Sequence, residues 1–341
     1  MLDTATLPTV SERAQLTLLD LADAAYSNDT AQRRRKADGW HLLSAAELGI
    51  TLRPGERFSN GLYTNGNAAA LVAAARVNGR PTLALVFRGS DDRRDWINNI
   101  ADINANYTGH ARLIRAVDRL VAAGQFGRVW IAGHSLGGAM AQMYMARHPD
   151  GTTPYRAFTY GAAGYIQPAD TPDSRIVNYR MSADPIPALG DNRELLGERL
   201  RGLPPFFRAR VLNRIAERIP VEPEISARDL RTLLPSVTEN YEMRGRIVTL
   251  RSPGGATVPD FLSNLTLISS LNDDQHRVET YRAALETRLT PSAAPPPATA
   301  MARLLDDGAA RPLSGGGLGL LGRLQSDGLQ DNLVSSPNSW A

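Results

Sequence analysis

The sequence predicts an α/β fold: a mostly parallel sheet with helices on both faces, then an irregular C-terminal tail. Three observations carry this expectation. After about residue 80, β-like apolar runs alternate with helical patterns, as parallel strands with crossover helices do. Gly133-His134-Ser135-Leu136-Gly137 stands between an apolar run, Arg128-Val129-Trp130-Ile131-Ala132, and a helix-like run over 139–146. At 341 residues the chain is long enough for one large α/β domain with appendages, or for two small domains.

The elements follow in order. Leu16, Leu19, Ala22 and Tyr26 recur at helical spacing over 11–27, with Ser11 as the N-cap. Two β-like runs, 68–77 and 82–87, flank Asn78-Gly79-Arg80-Pro81, and Asn-Gly between such runs signals a hairpin. Residues 108–123 read as a helix, followed by the strand, turn and helix around Ser135. Runs at 156–160, 175–181 and 243–250 read as further strands, and 276–289 as a last helix. Residues 188–242, rich in Arg and Pro, form a helical insertion between strands. The expected domain is 1–290; the Pro/Gly/Ala-rich tail over 291–341 has the composition of a flexible extension.

Composition narrows the chemistry. Hydrophobic residues make up 43% and charged residues 21%, ordinary for a globular enzyme. The net charge is +3 and Lys36 is the only lysine; the arginines are dispersed among acids, which argues against nucleic-acid binding. With no cysteine, disulfides, thiolate metal sites and cysteine nucleophiles are excluded. No basic segment followed by an apolar run opens the chain, so no cleavable signal peptide is expected. No apolar stretch approaches the roughly 20 residues that span a bilayer. The expectation is a chain without a transmembrane segment, cytoplasmic or exported by a non-classical route.

Strand, Gly-x-Ser-x-Gly turn and helix together form a nucleophile elbow, which exposes the Ser135 hydroxyl at the top of a sheet. A serine hydroxyl needs a base, usually a histidine oriented by a carboxylate, in the chain order Ser, Asp or Glu, His. Five histidines are available. His41 and His110 precede the nucleophile, and His134 is its neighbour with a side chain expected to point away. His148 lies roughly 20 Å down the following helix. His276 alone remains, in the polar run Asn272-Asp273-Asp274-Gln275-His276.

Sites in parallel sheets lie beyond the carboxyl ends of strands. Asp173 precedes its strand, whereas Asp184 follows one, so Asp184 is the acid and Asp191 the reserve. Asp184 before Pro185 also reads as a simple Asx-turn. The oxyanion donors are the Leu136 N–H and Ser90, whose Arg88-Gly89-Ser90 segment ends an earlier strand.

These pieces, in this order, resemble the class 3 (fungal-type) lipase family of the α/β-hydrolase superfamily. The resemblance rests on Ala24-Ala25-Tyr26-Ser27, on Val86-Phe87-Arg88-Gly89-Ser90 with Asp95-Trp96, and on Gly133-His134-Ser135-Leu136-Gly137-Gly138. Asp184-Pro185-Ile186-Pro187 and His276 with Tyr281 complete it. It covers roughly residues 11 to 289 and implies an α/β-hydrolase fold. It also implies Ser135 as nucleophile, Asp184 and His276 as its partners and Ser90 as the oxyanion residue. Tyr160-Gly161-Ala162-Ala163-Gly164 departs from the family, which usually has a proline-containing turn there.

The function so implied is hydrolysis of carboxylic esters of lipids, as by a triacylglycerol lipase or esterase, with no metal or organic cofactor. The partner is a lipid or other ester substrate, at a membrane or lipid-droplet interface. A phospholipase or acyltransferase with the same triad, and a secreted effector or binding protein on this fold, are the alternatives. Two segments are candidate lids or lipid-docking elements. One follows Ser90 and carries Trp96, Ile97, Ile100, Ile103 and Tyr107. In the other, over 207–219, Phe207, Val211, Leu212, Ile215 and Ile219 fall within about 140° of a helical wheel. Arg210, Arg214 and Arg218 lie largely outside that arc.

Overall fold

The computed structural model describes residues 11–89, 103–165, 173–216, 241–252 and 273–289. Ser11 caps α1 (Glu12–Tyr26) by accepting from the Ala14 N–H at 3.3 Å, and α2 (Thr30–Lys36) follows. Three short strands come next: β1 (His41–Leu42), β2 (Glu56–Ser59) and β3 (Leu62–Asn65). They leave no mark in the sequence, because two to four residues are too few for a period to register. β4 (Ala68–Val77) and β5 (Arg80–Phe87) then form the expected hairpin. Asn78 and Gly79 between them have φ of 50° and 76°, the left-handed pair that matches a two-residue turn to strand twist.

From β5 onward the sheet is parallel. β5 is followed across it by β6 (Arg128–His134), β7 (Tyr155–Tyr160), β8 (Ile176–Met181) and β9 (Arg246–Leu250). The pairings among β1 to β5 are antiparallel, so the whole sheet is mixed. Two helices, α3 (Ile103–Gly109) and α4 (Ala111–Ala122), precede β6, and α5 (Leu136–Arg147) follows it. Between β8 and β9 lie α6 (Pro185–Asp191), α7 (Arg193–Gly202) and α8 (Pro205–Ala216). A 3-10 turn (Asp273–His276) leads into α9 (Val278–Leu289). The helix expected over 108–123 is α4, with α3 as a further helix before it; at their junction the His110 ring turns into the core edge-on to Phe87 at 5.0 Å.

Period-2 alternation sorts the central strands onto two faces. Leu83, Leu85, Val129 and Ile131 pack with Leu113, Val117, Met140 and Tyr144 of α4 and α5. Ala84, Val86, Trp130 and Ala132 pack with Leu18, Leu21 and Ala25 of α1 and with Tyr281 and Leu285 of α9. Both faces are covered, which holds the carboxyl ends of β5 to β9 in fixed relation.

Ser90 and the lid-candidate residues Trp96, Ile97 and Ile100 lie outside the described residues, as do Arg218, Ile219 and the 291–341 tail. Ile103 and Tyr107, expected in a lid, are core residues of α3. The apolar arc expected over 207–219 also divides. Leu212 is fully buried, whereas Phe207 is 55% exposed and its neighbour Phe206 74%. No helix among the described residues is long and apolar enough to cross a membrane.

Candidate active site

Ser135 joins β6 to α5 with φ 58° and ψ −127°. A non-glycine residue takes up a left-handed conformation only where its surroundings enforce it, and here close packing does so. A Cβ on Gly133 would collide with the Gly137 backbone, and one on Gly137 with the Phe87 carbonyl. Strand and helix therefore approach more closely than side chains permit, and the chain must turn sharply at Ser135. Leu136 opens α5, so its N–H belongs to the helix end whose first amides have no intrahelical acceptor.

Asp184 follows β8 and is wholly buried. Its Oδ1 accepts from the Ile186 N–H at 2.8 Å and so caps α6. The same carboxylate receives His276 Nδ1, 2.9 Å from each oxygen, and the Tyr281 hydroxyl at 2.5 Å. The Asx-turn and the histidine partner, alternatives in the sequence, are thus two uses of one side chain. Because a carboxylate only accepts, Nδ1 carries the proton and His276 Nε2 is left as the basic nitrogen. Burial and the adjacent Asp184 carboxylate hold the Tyr281 hydroxyl well above its ordinary range, so it stays protonated and donates. Its oxygen in turn accepts from the Met181 N–H at 3.0 Å.

The other candidates are engaged elsewhere. Asp191 pairs with Arg180 at 2.9 Å, and Asp173 with Arg175 at 2.7 Å. His41 pairs with Glu47 and His148 with Asp118. Among the described residues the Ser135 hydroxyl makes no hydrogen bond to His276. Such bonds are often long without substrate and tighten when it binds.

Three residues of this site went unassigned in the sequence. Gly161, just past β7, has φ 58°. A Cβ there would lie 2.7 Å from Asp184 Oδ2 and 3.0 Å from the His276 ring, so only glycine lets Asp184 and His276 meet beside it. Tyr26 and His134 are the others. His134 packs beside His276, ring centroids 4.6 Å apart, and contacts that residue's carbonyl. Strand alternation held the signal, since Trp130, Ala132 and His134 share the face that α1 and α9 cover.

A family model described as phospholipase-like, the Tle-like phospholipase domain, matches residues 17–222, more than half of the chain. Among solved structures, a mutant form of MDLA from Penicillium cyclopium is 16% identical over 53% of this chain and 76% of that one, with a TM-score of 0.34. For a lipase from Rhizopus microsporus var. chinensis the values are 14%, 55%, 75% and 0.35. For the Lip2 lipase of Yarrowia lipolytica they are 13%, 52%, 73% and 0.34. No curated protein matches the chain. The chain belongs to the Tle-like phospholipase domain family.

Proposed function

We propose that this chain is a serine hydrolase of lipid esters working through an acyl-enzyme. The observation that carries the proposal is the buried Asp184–His276 pair at the sheet end where the strained Ser135 turn lies. In the first step Ser135 Oγ attacks the ester carbonyl carbon while His276 Nε2 takes the hydroxyl proton. The carbonyl π electrons move onto oxygen, which the Leu136 N–H and Ser90 stabilise. Collapse breaks the bond to the leaving alkoxide, and His276 gives that oxygen its proton. Water then repeats the sequence on the acyl-enzyme: His276 removes its proton, the acyl–Ser135 bond breaks, and a fatty acid leaves. Asp184 keeps Nδ1 protonated throughout and offsets the charge that His276 acquires.

Two observations favour a phospholipid over the triacylglycerol expected from the sequence. The family is described as phospholipase-like. Phe206 and Phe207 stand exposed in a stretch, 199–216, with five arginines and no acid. An apolar anchor flanked by cations suits a lipid surface bearing phosphate, whereas a neutral triacylglycerol droplet offers the arginines nothing. The test is product analysis with phosphatidylglycerol vesicles and triolein emulsion, wild type beside Ser135→Ala. Release of fatty acid from the phospholipid, lost in the variant, is the expected result. Triolein hydrolysis alone would return the substrate to triacylglycerol, and persistence in Ser135→Ala would overturn the mechanism.

A further inference from the structure

His134 and Tyr26 belong to no catalytic triad, yet they sit where three parts of the candidate site converge. His134 Nε2 is 2.6 Å from the His276 carbonyl oxygen. A carbonyl can only accept, so Nε2 carries the proton. Burial first, then the neighbouring His276, push the His134 imidazole down to about 3, so the ring is neutral and Nδ1 is an acceptor. Nδ1 lies 3.2 Å from the Tyr26 hydroxyl, the nearer of the two acceptors that this O–H reaches. The Tyr26 oxygen accepts from the Gly89 N–H at 3.1 Å. The His134 carbonyl, 3.4 Å from the same hydroxyl, is the more distant acceptor. The chain runs from Gly89 N–H to Tyr26, from Tyr26 O–H to His134 Nδ1, and from His134 Nε2–H to the His276 carbonyl.

The three anchors are functionally distinct. Gly89 precedes the proposed oxyanion residue Ser90, and a Cβ on it would lie 3.1 Å from the Ser135 Cβ. His134 immediately precedes the proposed nucleophile. His276 is the proposed base, and it sits at the end of a short 3-10 turn rather than inside a long element. A turn of that kind has little of its own to fix its carbonyl, whereas a bond from a neutral imidazole on a central strand does.

We infer that His134 and Tyr26 are positioning residues that lock the end of β5 at Gly89, the nucleophile turn and the histidine turn into one register. The inference rests on the serine-hydrolase reading above. Neutrality of His134 is part of the device: a cation 4.6 Å from His276 would oppose the charge that His276 acquires in each half-reaction.

The test is steady-state kinetics on a soluble p-nitrophenyl ester for Tyr26→Phe, His134→Ala, His134→Gln and the double variant Tyr26→Phe/His134→Gln. Rates are normalised by active-site titration so that misfolded protein does not count. Tyr26→Phe and His134→Ala are expected to lower kcat about tenfold to hundredfold with KM nearly unchanged, the scale of a misplacement near an ångström. Gln keeps an N–H where Nε2 stands, so His134→Gln should recover part of what Ala loses. The double variant should be little worse than the poorer single one, because both break one chain. Normalised kcat within about twofold of wild type for Tyr26→Phe and His134→Ala, or additive losses in the double variant, would overturn the inference. A wild-type protein that neither turns over esters nor reacts at Ser135 would instead remove the serine-hydrolase reading, and this inference with it.

Discussion

His276 Nδ1 stands 2.9 Å from both carboxylate oxygens of Asp184, and the Tyr281 hydroxyl closes on the same carboxylate from α9. This geometry fixes the imidazole tautomer as well as its orientation, and it yields the first prediction. Asp184→Asn retains an oxygen for the Ile186 cap but presents Nδ1 with an amide that can stabilise the wrong tautomer. The expected outcome is a loss of kcat of about 10³- to 10⁴-fold on a soluble ester, with KM little changed.

Tyr281→Phe separates support from chemistry. It removes one donor from Asp184 and leaves the buried Met181 N–H without the hydroxyl it donates to. Urea unfolding should show a loss of about 1–3 kcal/mol, the cost of an unsatisfied buried group. Because the hydroxyl is held above its ordinary range, no loss of activity assignable to its ionisation is expected near pH 10.

Gly161→Ala tests whether space beside the Asp184–His276 pair matters. The added methyl meets Asp184 Oδ2 and the His276 ring at a residue with positive φ. Activity should fall about a hundredfold through displacement of the pair. The strained backbone should cost about 1 kcal/mol, read as a lower thermal midpoint.

Stability should fall on acidification. Burial lowers His110 to about 4 and His134 to about 3 in the folded protein, below the unfolded value near about 6.5. The unfolded chain therefore binds the extra protons. This contribution is complete above that value and shrinks by roughly a kcal/mol per histidine per pH unit as pH falls towards 4. Urea midpoints for wild type and His110→Gln at several pH values check it: the variant should have the shallower slope. Equal slopes would contradict it.

Phe206→Ala/Phe207→Ala tests the lipid-facing surface. Hydrolysis of anionic vesicles should drop about tenfold or more, as expected for loss of two exposed anchors, while turnover of a soluble ester is unchanged. Equal losses on both substrates would contradict a docking role.

The parts of the fold legible in the sequence were those with long repeating signals. β5 to β8 show as apolar runs because both faces are buried, and Asn78-Gly79 demands left-handed φ. β1 to β3 are too short to carry a period, and the junction of α3 and α4 at His110, whose ring lies buried beside Phe87, follows no local pattern. Among the candidate site residues, order and strand end alone single out Ser135, Asp184 and His276, and the structure pairs the last two. The contacts of Tyr26, His134 and Gly161 could not, since each depends on a partner 63 to 142 residues away, or on the room a missing side chain leaves. Ile103 and Tyr107 misled for a related reason: a polar–apolar mixture reads alike in a lid and in a helix packed on a sheet.

Mass-spectrometric mapping of a fluorophosphonate adduct tests whether Ser135 is the nucleophile and His276 its base. One adduct is expected, on the peptide containing Ser135, absent in Ser135→Ala and formed far more slowly in His276→Ala. An adduct on another residue, or ester hydrolysis undiminished in Ser135→Ala, would contradict it.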